Sequence, residues 1–228
     1  MTRTTAAACL LTSWSLDLSA AQAALKANLE YRTAEARERA VTEMTHPVRP
    51  QVERTADLVR SLQLKPGSVI ADLGSGAGYL IPYLRTEAGP AGSVIAVDIH
   101  ADFVDLVSRK IAAQGWSNVR AVRATERDPR LAGNSVDTAV MLDTYHHLDY
   151  PLDVLDKLRA ALKPGGRMYV IDYYRSRKHP GASDADLRSH IRLDRDGVIR
   201  EVEARRFRLV RSWDHLPHEY VLEFVRRD

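Results

Sequence analysis

The chain has 228 residues, with 33 Lys and Arg against 30 Asp and Glu, and a formal net charge of +3. That length suits one compact domain with a sizeable core, and 45% hydrophobic with 28% charged residues excludes wholesale disorder. No apolar run reaches the roughly 18 to 20 residues that a membrane-spanning helix needs, and a single cysteine, Cys9, excludes an intramolecular disulfide and a cysteine-cluster metal site.

At the N-terminus Arg3 precedes an Ala- and Leu-rich run from Ala6 to Leu16, with Ala21-Gln22-Ala23 beyond, the outline of an export signal. Ser13, Ser15 and Asp17 interrupt the run and only one positive charge precedes it, so the expected compartment is the cytoplasm, with export as the alternative. From Ser19 to about Thr45, Leu18, Ala21, Leu25 and Leu29 recur at helical spacing, which predicts one or two amphipathic helices. Pro47 and Pro50 break the pattern. Another helix is expected over Gln51 to Gln63, ended by Lys65-Pro66-Gly67.

After Gly67 short apolar runs alternate with helical patterns. Strands are expected at Val69–Leu73, Val94–Val97, Val119–Val122, Thr138–Leu142 and Met168–Ile171, the last introduced by a Lys163-Pro164-Gly165-Gly166 turn. Helices are expected at Gly78–Thr86, Asp102–Gln114 and Pro151–Leu162. This alternation demands a mostly parallel sheet covered on both faces. A helix near Val198–Arg205 then leads into Phe207–Trp213 and Tyr220–Val225, strands with no room for a helix between them and therefore an antiparallel pair. The expected fold is α/β, a Rossmann-like seven-stranded sheet with an antiparallel C-terminal strand. Residues 1–50 would form a helical cap on a domain of residues 51–228.

The most informative segment is Val69-Ile70-Ala71-Asp72-Leu73-Gly74-Ser75-Gly76-Ala77-Gly78-Tyr79, a buried strand running into a glycine-dense turn. Glycines let the backbone take positive φ and let a ligand approach without meeting a Cβ. Asp98 closes the second strand, where a carboxylate accepts from both hydroxyls of a ribose. A dinucleotide loop wants Gly-x-Gly-x-x-Gly, but Tyr79 stands at the third glycine's position. Asp72 is an awkward neighbour for two phosphates and a good partner for a cationic amino group. Adenosine carrying an amino-acid tail therefore fits better than a dinucleotide.

With these residues the chain resembles the class I S-adenosylmethionine-dependent methyltransferases, over roughly Gln51 to the C-terminus. Ala71 to Gly78 is similar to the family's first motif, Asp98 to the ribose-binding acid of its second, and Leu162-Lys163-Pro164-Gly165-Gly166-Arg167 to the turn before strand five. The closing antiparallel pair is the family's usual ending. The resemblance implies that Asp72, Gly74, Ser75, Gly76 and Tyr79 cradle the methionine end of S-adenosylmethionine, that Asp98 holds the ribose, and that Ile99 packs on adenine. After strand three, many relatives have Gly-Asp where this chain has Arg123-Ala124-Thr125-Glu126. Thr125 is the expected adenine contact, with Glu126 as its substitute.

In parallel α/β sheets the ligand sits beyond the carboxyl ends of the strands, so Asp143-Thr144-Tyr145-His146-His147 after strand four faces the transferred methyl group. Asp143 is expected to touch the cofactor, with contact to the substrate or a cap on the loop as the alternatives. A histidine near neutrality suits removal of a proton from an O or N nucleophile, which makes His146 and His147 the catalytic candidates against a packing role for each. Tyr31, Tyr145, Tyr173 and His190 are candidates for contact with the substrate, each weighed against packing, with Tyr174 an alternative to Tyr173. The eight histidines show no ligand spacing, so no metal is expected. The expected partner is a small molecule. Arg205-Arg206, Arg208 and Arg211 raise the alternative of an RNA or protein substrate, but no interleaved aromatics support nucleic acid. A non-catalytic cofactor-binding module is the third possibility.

Overall fold

The apolar runs after Gly67 form the strands of one seven-stranded sheet, in the order β3-β2-β1-β4-β5-β7-β6. The computed structural model describes residues 22–179 and 183–228. The export-signal-like run and Cys9 lie outside them. The strands are β1 (Val69–Leu73), β2 (Ser93–Asp98), β3 (Val119–Arg123), β4 (Val136–Leu142), β5 (Leu162–Tyr173), β6 (Phe207–Leu216) and β7 (Glu219–Arg226). β1 pairs in parallel with both β2 and β4, β2 with β3, and β4 with β5. β7 runs antiparallel to β5 and to β6, and Pro217-His218 turns the chain between Leu216 and its partner Glu219.

Successive strand residues point to opposite faces, so the alternation builds two cores. Ala71, Leu73, Val97, Met141 and Val170 share one with Leu155, Leu158 and Val202. Ile70, Val94, Val140 and Ile171 share the other with Leu58, Leu62, Ile81 and Leu84. The helices are α1 (Ala34–Met44), α2 (Arg49–Val52), α3 (Thr55–Ser61), α4 (Ile81–Ala88), α5 (Ala101–Gln114), α6 (Pro151–Ala161), α7 (Asp184–His190) and α8 (Arg195–Glu203). Residues 22–27 are helical too and run into a 3-10 turn at Asn28–Tyr31. Among the described residues no helix is long and apolar enough to cross a membrane.

Five features differ from expectation. The helix expected over Gln51–Gln63 is split into α2 and α3, because Arg54 takes a left-handed conformation with φ 48°. Pro50 sits in the first turn of α2, where its missing N–H costs nothing. The helix expected from Gly78 starts at Ile81, since Gly78 has φ 73° and belongs to the glycine loop. β5 begins at Leu162 rather than after the Pro-Gly-Gly turn, which is absorbed as a register shift where Val136 pairs with Leu162 but Thr138 with Arg167. The last helix lies at Arg195–Glu203, capped by Asp194, and α7, capped by Ser183, stands in a segment where no helix was expected.

The order of strands reverses between β1 and β4. At such a switch point the loops leaving neighbouring strands diverge and open a crevice. The glycine loop, Asp98, the β4–α6 loop and Asp172-Tyr173 all lie at those carboxyl ends.

Candidate active site

A cavity of about 630 Å³ occupies that crevice. The glycine loop is pinned to β2: the N–H groups of Gly74 and Ser75 both donate to the Val97 carbonyl, at 2.8 and 3.1 Å. Gly74 has φ 69°, and a Cβ there would collide with the Thr144 side chain. At Gly76, with φ 49°, a Cβ would lie 2.7 Å from Met44 Sδ. Both positions therefore demand glycine for conformation and for space.

Asp98 organises the loop and the next helix together. Its Oδ2 accepts from the Gly76 N–H and its Oδ1 from the His100 N–H, both at 2.9 Å. Burial raises its carboxyl above the usual range while these N–H donors act against the rise. Asp72 is 3% exposed and lines the same cavity, and its Oδ2 finds no hydrogen-bond partner among the described residues. Burial, aided by the Asp98 charge, pushes the Asp72 carboxyl up to about 8. A buried carboxylate oxygen without a donor is costly unless a ligand supplies one.

Arg49 is the only Arg or Lys among the described lining residues. It pairs with Asp143 at 3.2 Å and Glu53 at 2.7 Å and stacks over Tyr79, whose hydroxyl meets Thr55. Asp143 holds a left-handed conformation with φ 50°, and its Oδ1 is also buried without a partner. Burial pushes its carboxyl up to about 7 against the pull of Arg49. Ile99, 41% exposed, and Ala124 give the β2–β3 side of the cavity an apolar wall. Thr125 lines it as well, but its hydroxyl accepts from the Asp128 N–H within a local turn, and Glu126 is not among the lining residues.

The opposite wall is built from histidines. His146 and His147 form a 3-10 turn after β4, and His190 ends α7. Asp172 accepts from the His146 N–H at 3.0 Å and from the Tyr173 N–H at 2.8 Å, its Oδ1 shares a hydrogen bond of 2.6 Å with His146 Nδ1, and burial pushes its carboxyl up to about 7. Burial holds the imidazoles of His146 and His147 well below their ordinary pKa, so both are neutral near pH 7. Asn28 donates to the His147 carbonyl at 2.9 Å, which turns its Oδ1 toward His147 Nδ1 at 3.1 Å. Tyr31 completes the rim, edge-on to His147 and near-parallel to His100.

The cavity thus gathers Asp72, Gly74, Ser75, Gly76, Tyr79, Asp98, Ile99, Thr125, Asp143, His146, His147, Tyr31, Tyr173 and His190. Tyr145 is the exception. It is 1% exposed, packs in the core, and donates its hydroxyl to Glu201 at 2.6 Å, because the 3-10 turn directs it away from the histidines. Tyr174 likewise leaves the cavity, donating to Asp214. Arg49, Asn28 and Asp172 were not singled out from sequence. A carboxylate at the end of an apolar strand, in Ile171-Asp172-Tyr173, was the available signal for the last. Of the basic C-terminal residues, Arg205 pairs with Asp156, while Arg211 pairs with Glu223 and stacks on Trp213.

Residues 71–168 match the family described as a methyltransferase domain. A ubiquinone/menaquinone biosynthesis C-methyltransferase from Legionella pneumophila is 24% identical over 151 residues, 60% of this chain and 60% of that protein. The chain therefore spans less than two thirds of that relative's length. An arsenite methyltransferase from Halobacterium salinarum is 27% identical over 117 residues, 51% of this chain and 30% of that protein. The crystal structure of a SAM-dependent methyltransferase from Aquifex aeolicus superposes with a TM-score of 0.74 at 24% identity, covering 82% of this chain and 96% of that one, a likeness of fold. With the glycine loop, the acid at the end of β2 and this strand order in place, residues 71–168 carry a methyltransferase domain of the class I, S-adenosylmethionine-dependent kind.

Proposed function

We propose that the protein transfers the methyl group of S-adenosylmethionine to a small-molecule acceptor held against the histidine wall. The observation that carries this is the unpartnered Oδ2 of Asp72, buried beside the glycine loop. It fits a ligand bearing a cationic amino group, and Arg49 across the cavity fits the carboxylate of the same amino-acid tail. Asp98 would take the ribose hydroxyls with its remaining lone pairs, and Ile99 and Ala124 would flank adenine. When bound, S-adenosylmethionine supplies a methyl group on a sulfonium, whose leaving group is already activated.

What remains for the chain is alignment and a proton. Asp172 keeps Nδ1 of His146 protonated, which leaves the Nε2 lone pair as the acceptor for a proton from the nucleophile. The relatives are named a C-methyltransferase of ubiquinone and menaquinone biosynthesis and an arsenite methyltransferase, which widens the nucleophile beyond O or N to carbon. We also place the protein in the cytoplasm, and we treat residues 1–50 as a cap on the domain of residues 51–228. Contacts of Asn28, Tyr31 and Arg49 with the cavity support the cap.

Calorimetry with S-adenosylmethionine and S-adenosylhomocysteine tests this directly: saturable binding is expected, and a folded protein that binds neither overturns the reading. Asp72 adds a pH signature. An ammonium group favours its ionised form, so binding at pH 7 releases a proton, and affinity falls below pH 8 by up to about tenfold per unit. Repeating the titration in buffers of different ionisation enthalpy reads that proton. Its release should vanish in Asp72→Asn.

A further inference from the structure

We propose that His146, His147 and His190 form a binding site for a divalent first-row transition cation, with open coordination positions facing the acceptor space. One ring-nitrogen ligand atom from each residue lies within 4.8 Å of the others. No spacing in the sequence connects them; the β4–α6 loop and the end of α7 bring them together. Their ring centroids stand 4.1, 5.1 and 5.5 Å apart, with planes inclined by 41°, 49° and 84°. Rings so inclined do not stack in a row, and their ligand atoms lie close together.

The surroundings of two of the rings are those of metal ligands. A ligating histidine donates its second ring N–H to a carboxylate or carbonyl, which fixes tautomer and orientation. His146 does so to Asp172 and His147 to the Asn28 side-chain oxygen. Each is thereby left with an Nε2 lone pair. The amide of Asn28 is oriented by its own donation to the His147 carbonyl, so its oxygen is the acceptor.

Three imidazole nitrogens suit zinc, cobalt, nickel or iron better than calcium or magnesium, which take oxygen ligands. Three protein ligands with a vacant position is the arrangement of a catalytic rather than a structural zinc site. Metal–nitrogen distances of about 2.0–2.1 Å in tetrahedral geometry put ligand nitrogens about 3.4 Å apart. The atoms must therefore close by at most about 1.4 Å, a swing available to His190 at the last residue of its helix. All three residues line the cavity, so the vacant positions open into it.

The role of such an ion rests on the methyl-transfer reading: as a Lewis acid it would hold an oxygen, nitrogen or sulfur of the acceptor and favour its deprotonated form. In the loaded protein the histidines serve as ligands, and the ion, rather than His146, then activates the nucleophile.

The test uses the untagged full-length chain, stripped with a chelator and dialysed against Zn²⁺ or Co²⁺ alone. One ion per chain by elemental analysis is expected, with the visible absorption of four- or five-coordinate Co²⁺. His147→Ala and His190→Ala should each weaken Co²⁺ binding at least tenfold. Asn28→Ala and Asp172→Asn, which alter the outer partners, should cost about 10- to 100-fold. His46→Ala, outside the cluster, should bind as wild type does. Thermal unfolding verifies that each variant is folded, and His190, at a helix end, is the substitution least able to disturb the core. A wild-type protein that binds neither ion, or folded His147→Ala and His190→Ala variants that bind as tightly as wild type, overturns the site. Binding of S-adenosylhomocysteine is measured separately. A protein that binds it but no ion loses the metal site and keeps the methyltransferase reading, and one that binds the ion but not the nucleoside loses the methyltransferase reading and keeps the site.

Discussion

Replacing Asp98 with alanine is expected to weaken S-adenosylhomocysteine binding ten- to hundred-fold. The carboxylate lies at the end of β2 with one oxygen on the Gly76 N–H and the other on the His100 N–H. In the proposed binding mode each oxygen would offer its remaining lone pair to a ribose hydroxyl. Hydrogen bonds to a charged acceptor contribute about 1.5 to 3 kcal/mol, which is the expected loss of affinity. The substitution also leaves two backbone donors of the glycine loop and of α5 without their acceptor, so the melting temperature of the unliganded protein should fall as well. Asp98→Asn separates the two effects. It keeps one carbonyl oxygen for a backbone N–H but turns an amide N–H against the other donor. Calorimetry checks both variants, and unchanged affinity in a folded Asp98→Ala protein would remove Asp98 from the ribose site.

His146→Asn should lower turnover by about 10²- to 10⁴-fold while leaving S-adenosylhomocysteine affinity within a few-fold of wild type. The asparagine amide stands where Nδ1 stood and retains a donor to Asp172, so the β4–α6 loop keeps its anchor. Lost is the Nε2 lone pair, which both direct proton removal and metal ligation use. The expected separation, chemistry lost and cofactor binding kept, distinguishes a histidine that acts on the acceptor from one that packs under the cofactor. Parallel loss of binding and turnover would assign His146 to packing. His147→Asn is the companion variant, with a smaller drop expected because His147 is held by the neutral Asn28 amide rather than by a carboxylate.

Much of the fold was legible because most strands are apolar runs or alternate apolar with polar residues, and many turns hold Gly or Pro. All seven strands cover the runs that predict them, although β5 starts earlier and β6 ends later than expected, and the parallel direction of β1 to β5 follows the βα alternation. Legibility failed where tertiary contacts override local pattern. Arg54 breaks a continuous helical periodicity by taking positive φ, a choice no side-chain sequence encodes. The short helix α7 is amphipathic over too few residues to show a period, yet it delivers His190 to the cavity. Within the cavity, the wall made by the glycine loop and Asp98 was readable from motif spacing, since glycines and a strand-end carboxylate are recognisable by position. The histidine wall was not, because Asp172, Asn28 and the three histidines meet only through topology. Tyr145, adjacent to His146 in sequence, faces the core, since neighbouring residues of a tight turn project in different directions.

Transfer of label from methyl-labelled S-adenosylmethionine, with a cell extract divided into low-molecular-mass, RNA and protein fractions as acceptors, tests the central claim most directly. Label should appear in a low-molecular-mass product, in step with formation of S-adenosylhomocysteine, and disappear with His146→Asn. Label confined to RNA or protein would contradict the small-molecule assignment. Cofactor binding with no transfer to any fraction would contradict catalysis itself.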